Sequence, residues 1–315
     1  MKIIVSFLSI LIFGSATIVA QSSAGVDVLN FAPNPEALSI SEATTAVPQG
    51  ASSIFVNPAL LSLMPISTLN LGYSRMVGDA NNIFGGANFK KGNRAIAISV
   101  YRSGDDGFEQ RDSPGSSNGN FSVDYLSVGS ALAYNFKHFA IGASAQYIYQ
   151  EIYLDKSTGY SFNAGLARDF LDSKFTLGAS VVNIGKMTKL VTTEPKLPAA
   201  FRLGASFDLL EFTPPKNANL PILLSISSDF VHPLTNTPSN NEVGYFNDKD
   251  YFNFGLILNI AEVVELNGGY KTGDTARPIS FGAGFITDLI TFNYAIIPFN
   301  TGFGTVHSIG IQYKF

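Results

Sequence analysis

The chain has 315 residues, no cysteine and a formal net charge of -4, and charged residues make up only 14% of it. An ordinary soluble domain contains roughly 25% charged residues, and a chain without cysteine has no disulfide framework, thiolate metal site or lipid-modified cysteine. Mild acidity without a basic stripe also argues against a nucleic-acid partner.

The first residues have the pattern of an export signal. Lys2 is followed by an apolar run over 3–13 and by small residues over 14–20. A membrane-spanning anchor would need about 20 apolar residues, and this run is interrupted too early. We therefore expect residues 1–20 to be a signal peptide that is removed from the mature protein.

Residues 21–66 lack strand periodicity and contain the sharpest local motif, Asn57-Pro58-Ala59-Leu60. Asn57 is a favourable capping residue and Pro58 suits a first helical position, so a short helix is predicted from Ala59 onward. Its apolar face would close the lumen of a wide barrel as a hatch. The alternative is that Asn-Pro forms a simple turn without that role.

Residues 67–315 alternate between apolar and small or polar residues in runs that are separated by turn residues, which is the pattern of β-strands. No further apolar run is long enough for a spanning helix, and only closed barrels cross membranes with strands. We predict an all-β, fourteen-stranded antiparallel transmembrane barrel in the outer membrane. The predicted strands are 67–76, 82–90, 94–102, 121–134, 138–153, 158–170, 174–184, 199–210, 222–232, 251–260, 263–271, 278–286, 289–297 and 305–315.

Connection lengths support this count, because barrels of this kind alternate short periplasmic turns with longer outer loops. Long, polar connections are predicted at 103–120, 185–198 and 233–250, each after an odd-numbered strand. The connection 211–221 is a longish exception on the short side. A soluble β-sandwich also shows alternating strands, but it does not account for the signal, the low charge and the aromatic terminus together.

Strand parity assigns residues to the two faces of the wall. Phe139, Phe201 and Phe292 are predicted to face lipid. The last strand ends with Tyr313 and Phe315 on its apolar face, which is typical of the closing strand of an outer-membrane barrel. The charges predicted to face the lumen, where they would pair or hold the hatch, are Arg202, Asp208, Asp229, Glu265 and Lys271.

No catalytic, cofactor or metal motif stands out. His138, His232 and His307 lie at the ends of different strands without the spacing of metal ligands. The chain also lacks a Gly-x-Ser-x-Gly elbow and a phosphate-binding loop. We expect no enzyme and no cofactor, although a hydrolytic triad assembled from separate strands is the alternative.

The Asn57-Pro58-Ala59 motif, the fourteen predicted strands and the aromatic end together resemble the FadL-like outer-membrane proteins, and among them the PorV/PorQ group associated with type IX secretion. That resemblance implies docking of secretion components or secreted cargo on the outer loops. The alternative, implied by FadL itself, is transport of hydrophobic small molecules. In both cases outer-membrane lipid surrounds the protein.

Overall fold

The computed structural model describes residues 27–76, 80–110, 117–171, 173–212, 221–235, 249–300, 302 and 304–315. The predicted signal peptide, 1–20, lies outside these residues. Among the described residues no helix is long and apolar enough to cross a membrane.

Fourteen strands form one closed antiparallel barrel, as predicted from the sequence. Each strand pairs with its neighbours in sequence, and β1 closes the barrel on β14, with Gly72 opposite Gly310. The strands are β1 Thr68–Arg75, β2 Asn81–Lys91, β3 Arg94–Gln110, β4 Gly119–Asn135, β5 Ala140–Ile152, β6 Asp155–Phe170, β7 Phe175–Met187, β8 Ala200–Phe212, β9 Ile222–Pro233, β10 Tyr251–Ile260, β11 Val264–Lys271, β12 Ile279–Ile286, β13 Ile290–Pro298 and β14 Thr305–Lys314.

The wall has an apolar outer face and a lumen side of small and polar residues. Phe139 and Phe292 are 45% and 46% exposed on the outside, and Phe201 shares the outward parity of Leu203. Tyr313 and Phe315 lie outside at the end of the chain, where Phe315 packs edge-on against Phe89. Hydrocarbon is the solvent that suits such a surface, so the protein is an outer-membrane barrel.

One predicted loop is in fact a strand extension. Residues 103–110 continue β3, and they pair with β4 down to Gln110 opposite Gly119, with a register shift between Asp105 and Phe108. Glycine and aspartate in this stretch had predicted a loop. Above the membrane the ladder needs no apolar side chains, so a polar hairpin can extend the wall into water.

Short connections lie at one end of the barrel, at 92–93, 136–139, 171–174, 261–263 and 287–289. We take this end as the periplasmic one. The connection 213–221 between β8 and β9 is the longer exception at this end. The other end carries the two-residue turn 153–154 and longer connections, including 188–199 between β7 and β8.

The hatch, defined here as residues 27–66, consists of short helical pieces linked by turns. It contains the helices α1 Pro35–Ser39 and α2 Ser53–Val56 and the 3-10 helices Asp27–Asn30, Gly50–Ser52 and Pro58–Ser62. Most of its side chains are buried, and Leu60 and Leu61 are fully so. Leu60 packs with the inward-facing Ala140 and Ala167 of β5 and β6. The hatch therefore supplies the core that the small inward residues leave unfilled.

Candidate functional site: the closed lumen

The hatch backbone lies directly against the wall because glycines face it there. A Cβ atom on Gly142 would lie 2.4 Å from the Ala59 nitrogen, and one on Gly178 would lie 2.0 Å from the Thr45 oxygen. Real Cβ atoms do not approach so closely, so these positions admit only glycine without movement of the hatch. The inward glycines with such hatch contacts below 3 Å are Gly86, Gly142, Gly165, Gly178, Gly204, Gly255, Gly269, Gly282 and Gly310.

Asn57 joins two parts of the hatch to the wall. Its Nδ2 donates to the Thr45 oxygen at 2.8 Å and to the Leu166 oxygen of β6 at 3.0 Å. Its Oδ1 accepts from the Ala59 nitrogen at 3.2 Å, and the short helix that follows, Pro58–Ser62, is a 3-10 helix. A Cβ atom on Gly165 would lie 1.9 Å from this same Oδ1. Asn57 therefore caps the helix and also joins the hatch to the barrel wall by hydrogen bonds.

Glu42 is the centre of a buried ionic clamp. Its carboxylate accepts from Lys271 Nζ at 2.6 Å and lies 3.4 Å from Arg277 Nη1. Burial alone would raise the pKa of Glu42, but Lys271 and Arg277 outweigh it and hold the pKa at about 2. Glu42 is thus a carboxylate at any ordinary pH.

The clamp holds a turn with an unfavourable backbone. Ser41 and Glu42 have φ angles of 49° and 64°, in the left-handed region that side chains other than glycine rarely adopt. Such conformations persist when surrounding contacts fix them. Here the Ser41 backbone nitrogen donates to Ser280 Oγ at 2.9 Å, and Arg202 Nη2 donates to the Glu42 backbone carbonyl oxygen at 2.8 Å.

A second ion pair continues the clamp. Arg202 Nη2 lies 2.9 Å from Asp229 Oδ2, and Asp229 is fully buried. The same carboxylate accepts from the Thr44 nitrogen at 3.0 Å, from the Thr45 nitrogen at 2.9 Å and from Thr45 Oγ1 at 2.6 Å. Residues 41–45 are therefore held against β8, β9 and β11 by buried ion pairs, and against β12 by the hydrogen bond from Ser41 to Ser280.

Of the five charges predicted to face the lumen, the structure brings Arg202, Asp229 and Lys271 together at the hatch. Asp208 instead accepts from Ser225 Oγ on β9, and Glu265 accepts from Asn267 Nδ2 on its own strand.

Sequence reasoning missed the hatch side of the clamp, Glu42, and also Arg277, which lies between β11 and β12. A signal existed, since residues 21–66 contain three acidic residues and no basic one. Acids in a segment that fills a lumen need cations on the wall.

On β2 to β5, at the same end of the barrel as the clamp, the lumen side carries an apolar cluster. Phe84, Tyr101, Tyr125 and Ile148 project inward from β2 to β5 and are nearly fully buried. Leu197 folds in from the connection 188–199 and completes the cluster. Phe55 of the hatch packs against it, with ring centroids 5.9 Å from Tyr101 and 6.1 Å from Phe84.

The histidines take no part in this site. His232 Nδ1 lies 2.6 Å from Asp250 Oδ1, and His307 Nδ1 lies 2.6 Å from Tyr294 Oη, all in exposed positions. Within the described ranges no cluster of three or more His, Asp or Glu side chains is placed to hold a metal ion.

Solved structures show where this architecture occurs. The toluene transporter TodX of Pseudomonas putida aligns with a TM-score of 0.59 at 12% identity, over 93% of this chain and 98% of that one. A channel titled CymD monoaromatic hydrocarbon channel aligns with a TM-score of 0.58 at 12% identity, over 90% of this chain and 97% of that one. The chain has the fold of the FadL-like barrels.

No protein-family model and no curated protein matches the chain. The aligned channels share its barrel, and they do not bear on the PorV/PorQ resemblance, which stays a prediction.

Proposed function

We propose that the protein carries small hydrophobic compounds across the outer membrane. The observation that supports this best is the apolar cluster of Phe84, Tyr101, Tyr125, Ile148 and Leu197 on the lumen side of the wall. Water-filled pores have polar interiors. An apolar solute, in contrast, gains roughly 25 cal/mol for each Å² of apolar surface that leaves water.

The fold is consistent with this role. TodX is titled a toluene transporter and CymD a monoaromatic hydrocarbon channel, and both share the fourteen-stranded architecture. The hatch would then act as the barrier that solutes must pass, since its backbone touches the wall at the inward glycines.

The test is uptake of a radiolabelled monoaromatic hydrocarbon by cells that express the full chain, compared with cells that carry an empty vector. Leu197→Asn places an amide in the apolar cluster and should lower uptake several-fold. Val191→Asn is the matched control, because Val191 is 70% exposed in the same connection. Equal uptake by wild type and empty vector contradicts the proposal, as does passage of small sugars instead.

Docking in type IX secretion is the other candidate, and its support is the sequence resemblance to the PorV/PorQ group, in which Asn57-Pro58-Ala59 is the sharpest motif. It predicts that deletion of the gene abolishes secretion of proteins with a type IX sorting domain, whereas hydrocarbon uptake is unchanged. Hydrophobic transport predicts the reverse pattern.

A further inference from the structure

A shallow apolar groove crosses the outside of the barrel from β5 to β10. Its volume is about 730 Å³, which lies within the range of ligand-binding pockets. The outward-facing Ala179 and Ala205 form its floor. Larger side chains form its walls, namely Phe139, Leu166, Leu177, Leu203, Phe230 and Phe252. Because these walls face the membrane, hydrocarbon chains are the natural occupants.

Among the residues that the structure describes, a single charged side chain borders this groove. Arg168 is exposed on β6, two residues before the strand ends at Phe170, and its guanidinium carbon lies 4.5 Å from the Phe170 ring centroid. Its neighbour Asp169 is used elsewhere, since it accepts from Thr176 Oγ1 at 2.8 Å. In the described part of the chain Arg168 has no carboxylate partner.

The position of Arg168 selects the leaflet. It lies at the end of the barrel with the short turns, which is the periplasmic end. The headgroups at that level belong to the phospholipid leaflet of the outer membrane. A guanidinium binds phosphate oxygens through two parallel hydrogen bonds, so the charge of Arg168 complements a phospholipid headgroup.

We propose that this groove is a binding site for one phospholipid, with its phosphate on Arg168 and one acyl chain along the floor at Ala179 and Ala205. The site is separate from the lumen and does not depend on what the barrel transports. A second copy of the chain is the competing occupant, but two facing copies would bring the unpaired Arg168 into an apolar interface at a high desolvation cost.

The experiment is native mass spectrometry of the delipidated full chain in detergent, titrated with dioleoylphosphatidylglycerol. We expect one saturable lipid adduct on the wild type. Arg168→Gln should weaken its binding about tenfold, the loss expected for a charge-assisted hydrogen bond. Ala205→Phe fills the groove and should weaken binding to a similar extent without removing the charge. Dioleoylglycerol, which has no phosphate, should bind wild type and Arg168→Gln equally weakly.

Arg94→Gln is the matched control. Arg94 is also exposed at the periplasmic end and lies over an aromatic ring, that of Tyr134 at 6.0 Å, but it does not border the groove. Equal lipid affinity of the Arg168 and Arg94 variants overturns the proposal, and so does a dimer that excludes lipid. Thermal unfolding of each variant establishes that the barrel is intact, and if Arg168→Gln does not fold, Ala205→Phe decides the matter.

Discussion

Replacing Glu42 with glutamine should release the hatch while the barrel stays closed. The pKa of Glu42 falls from its ordinary 4.5 to about 2. At about 1.4 kcal/mol for each pH unit, this difference corresponds to about 3 kcal/mol of interaction between the carboxylate and its cations. A glutamine of the same shape loses that energy and leaves Lys271 buried without an opposite charge, whereas Arg277 keeps Asp274 at 3.2 Å.

Hydrogen exchange measured by mass spectrometry reports this change locally. A loss of about 3 kcal/mol in the free energy of hatch opening accelerates amide exchange in residues 37–47 by about 100-fold. Exchange in the strands should change far less, because the ladder hydrogen bonds do not depend on Glu42.

Glu211→Gln is the control for removal of a carboxylate. Glu211 pairs with Lys174 at 3.0 Å, but its side chain is 59% exposed, and such surface pairs contribute about 0–1 kcal/mol. If Glu42→Gln exchanges no faster than this control in residues 37–47, the clamp does not hold the hatch and the reasoning is wrong.

Three further outcomes are expected. Because the pKa of Glu42 is depressed, its stabilisation of the hatch is complete above pH 4.5 and is lost as the pH falls toward 2. Hydrogen exchange measured at several pH values would detect this loss. Burial raises the pKa of Glu36, so protonation of Glu36 in the same pH range partly offsets the loss. Gly165→Ala forces Asn57 away and should destabilise the hatch by about 1–3 kcal/mol, whereas Gly268→Ala, which has open space for its methyl group, should not; a thermal melt with equal midpoints would contradict this. Asn57→Ala should destabilise the hatch by about 1–3 kcal/mol, because it leaves the Thr45 and Leu166 carbonyl oxygens without this donor. Unchanged hydrogen exchange in residues 41–62 would contradict this role of Asn57.

The barrel could be predicted from the sequence because the alternation that marks each strand is a local pattern. A strand with one face in lipid alternates strictly, and β10, Tyr251–Ile260, has the bounds that alternation predicts. The prediction failed where lipid stops imposing the pattern, as in the polar extension of β3 to Gln110.

Only the wall side of the hatch contacts could be predicted from the sequence. Parity placed Arg202, Asp229 and Lys271 in the lumen, but no local rule reveals which residue meets them. Glu42 lies 229 positions from Lys271 along the chain, and the αL backbone at Ser41 and Glu42 has no glycine to mark it. Pairings at such separations depend on the closed fold, so they follow from three-dimensional structure rather than from periodicity.

That separation also has a consequence for biogenesis. The hatch turn at 41–45 is held by residues late in the chain: Ser280 of β12 lies 239 positions beyond Ser41, and Arg277 lies just before that strand. This turn emerges early into the periplasm and therefore meets the last of these partners only after nearly all of the polypeptide has been delivered. Until then Glu42 stays in water, and the turn docks only when the barrel has closed.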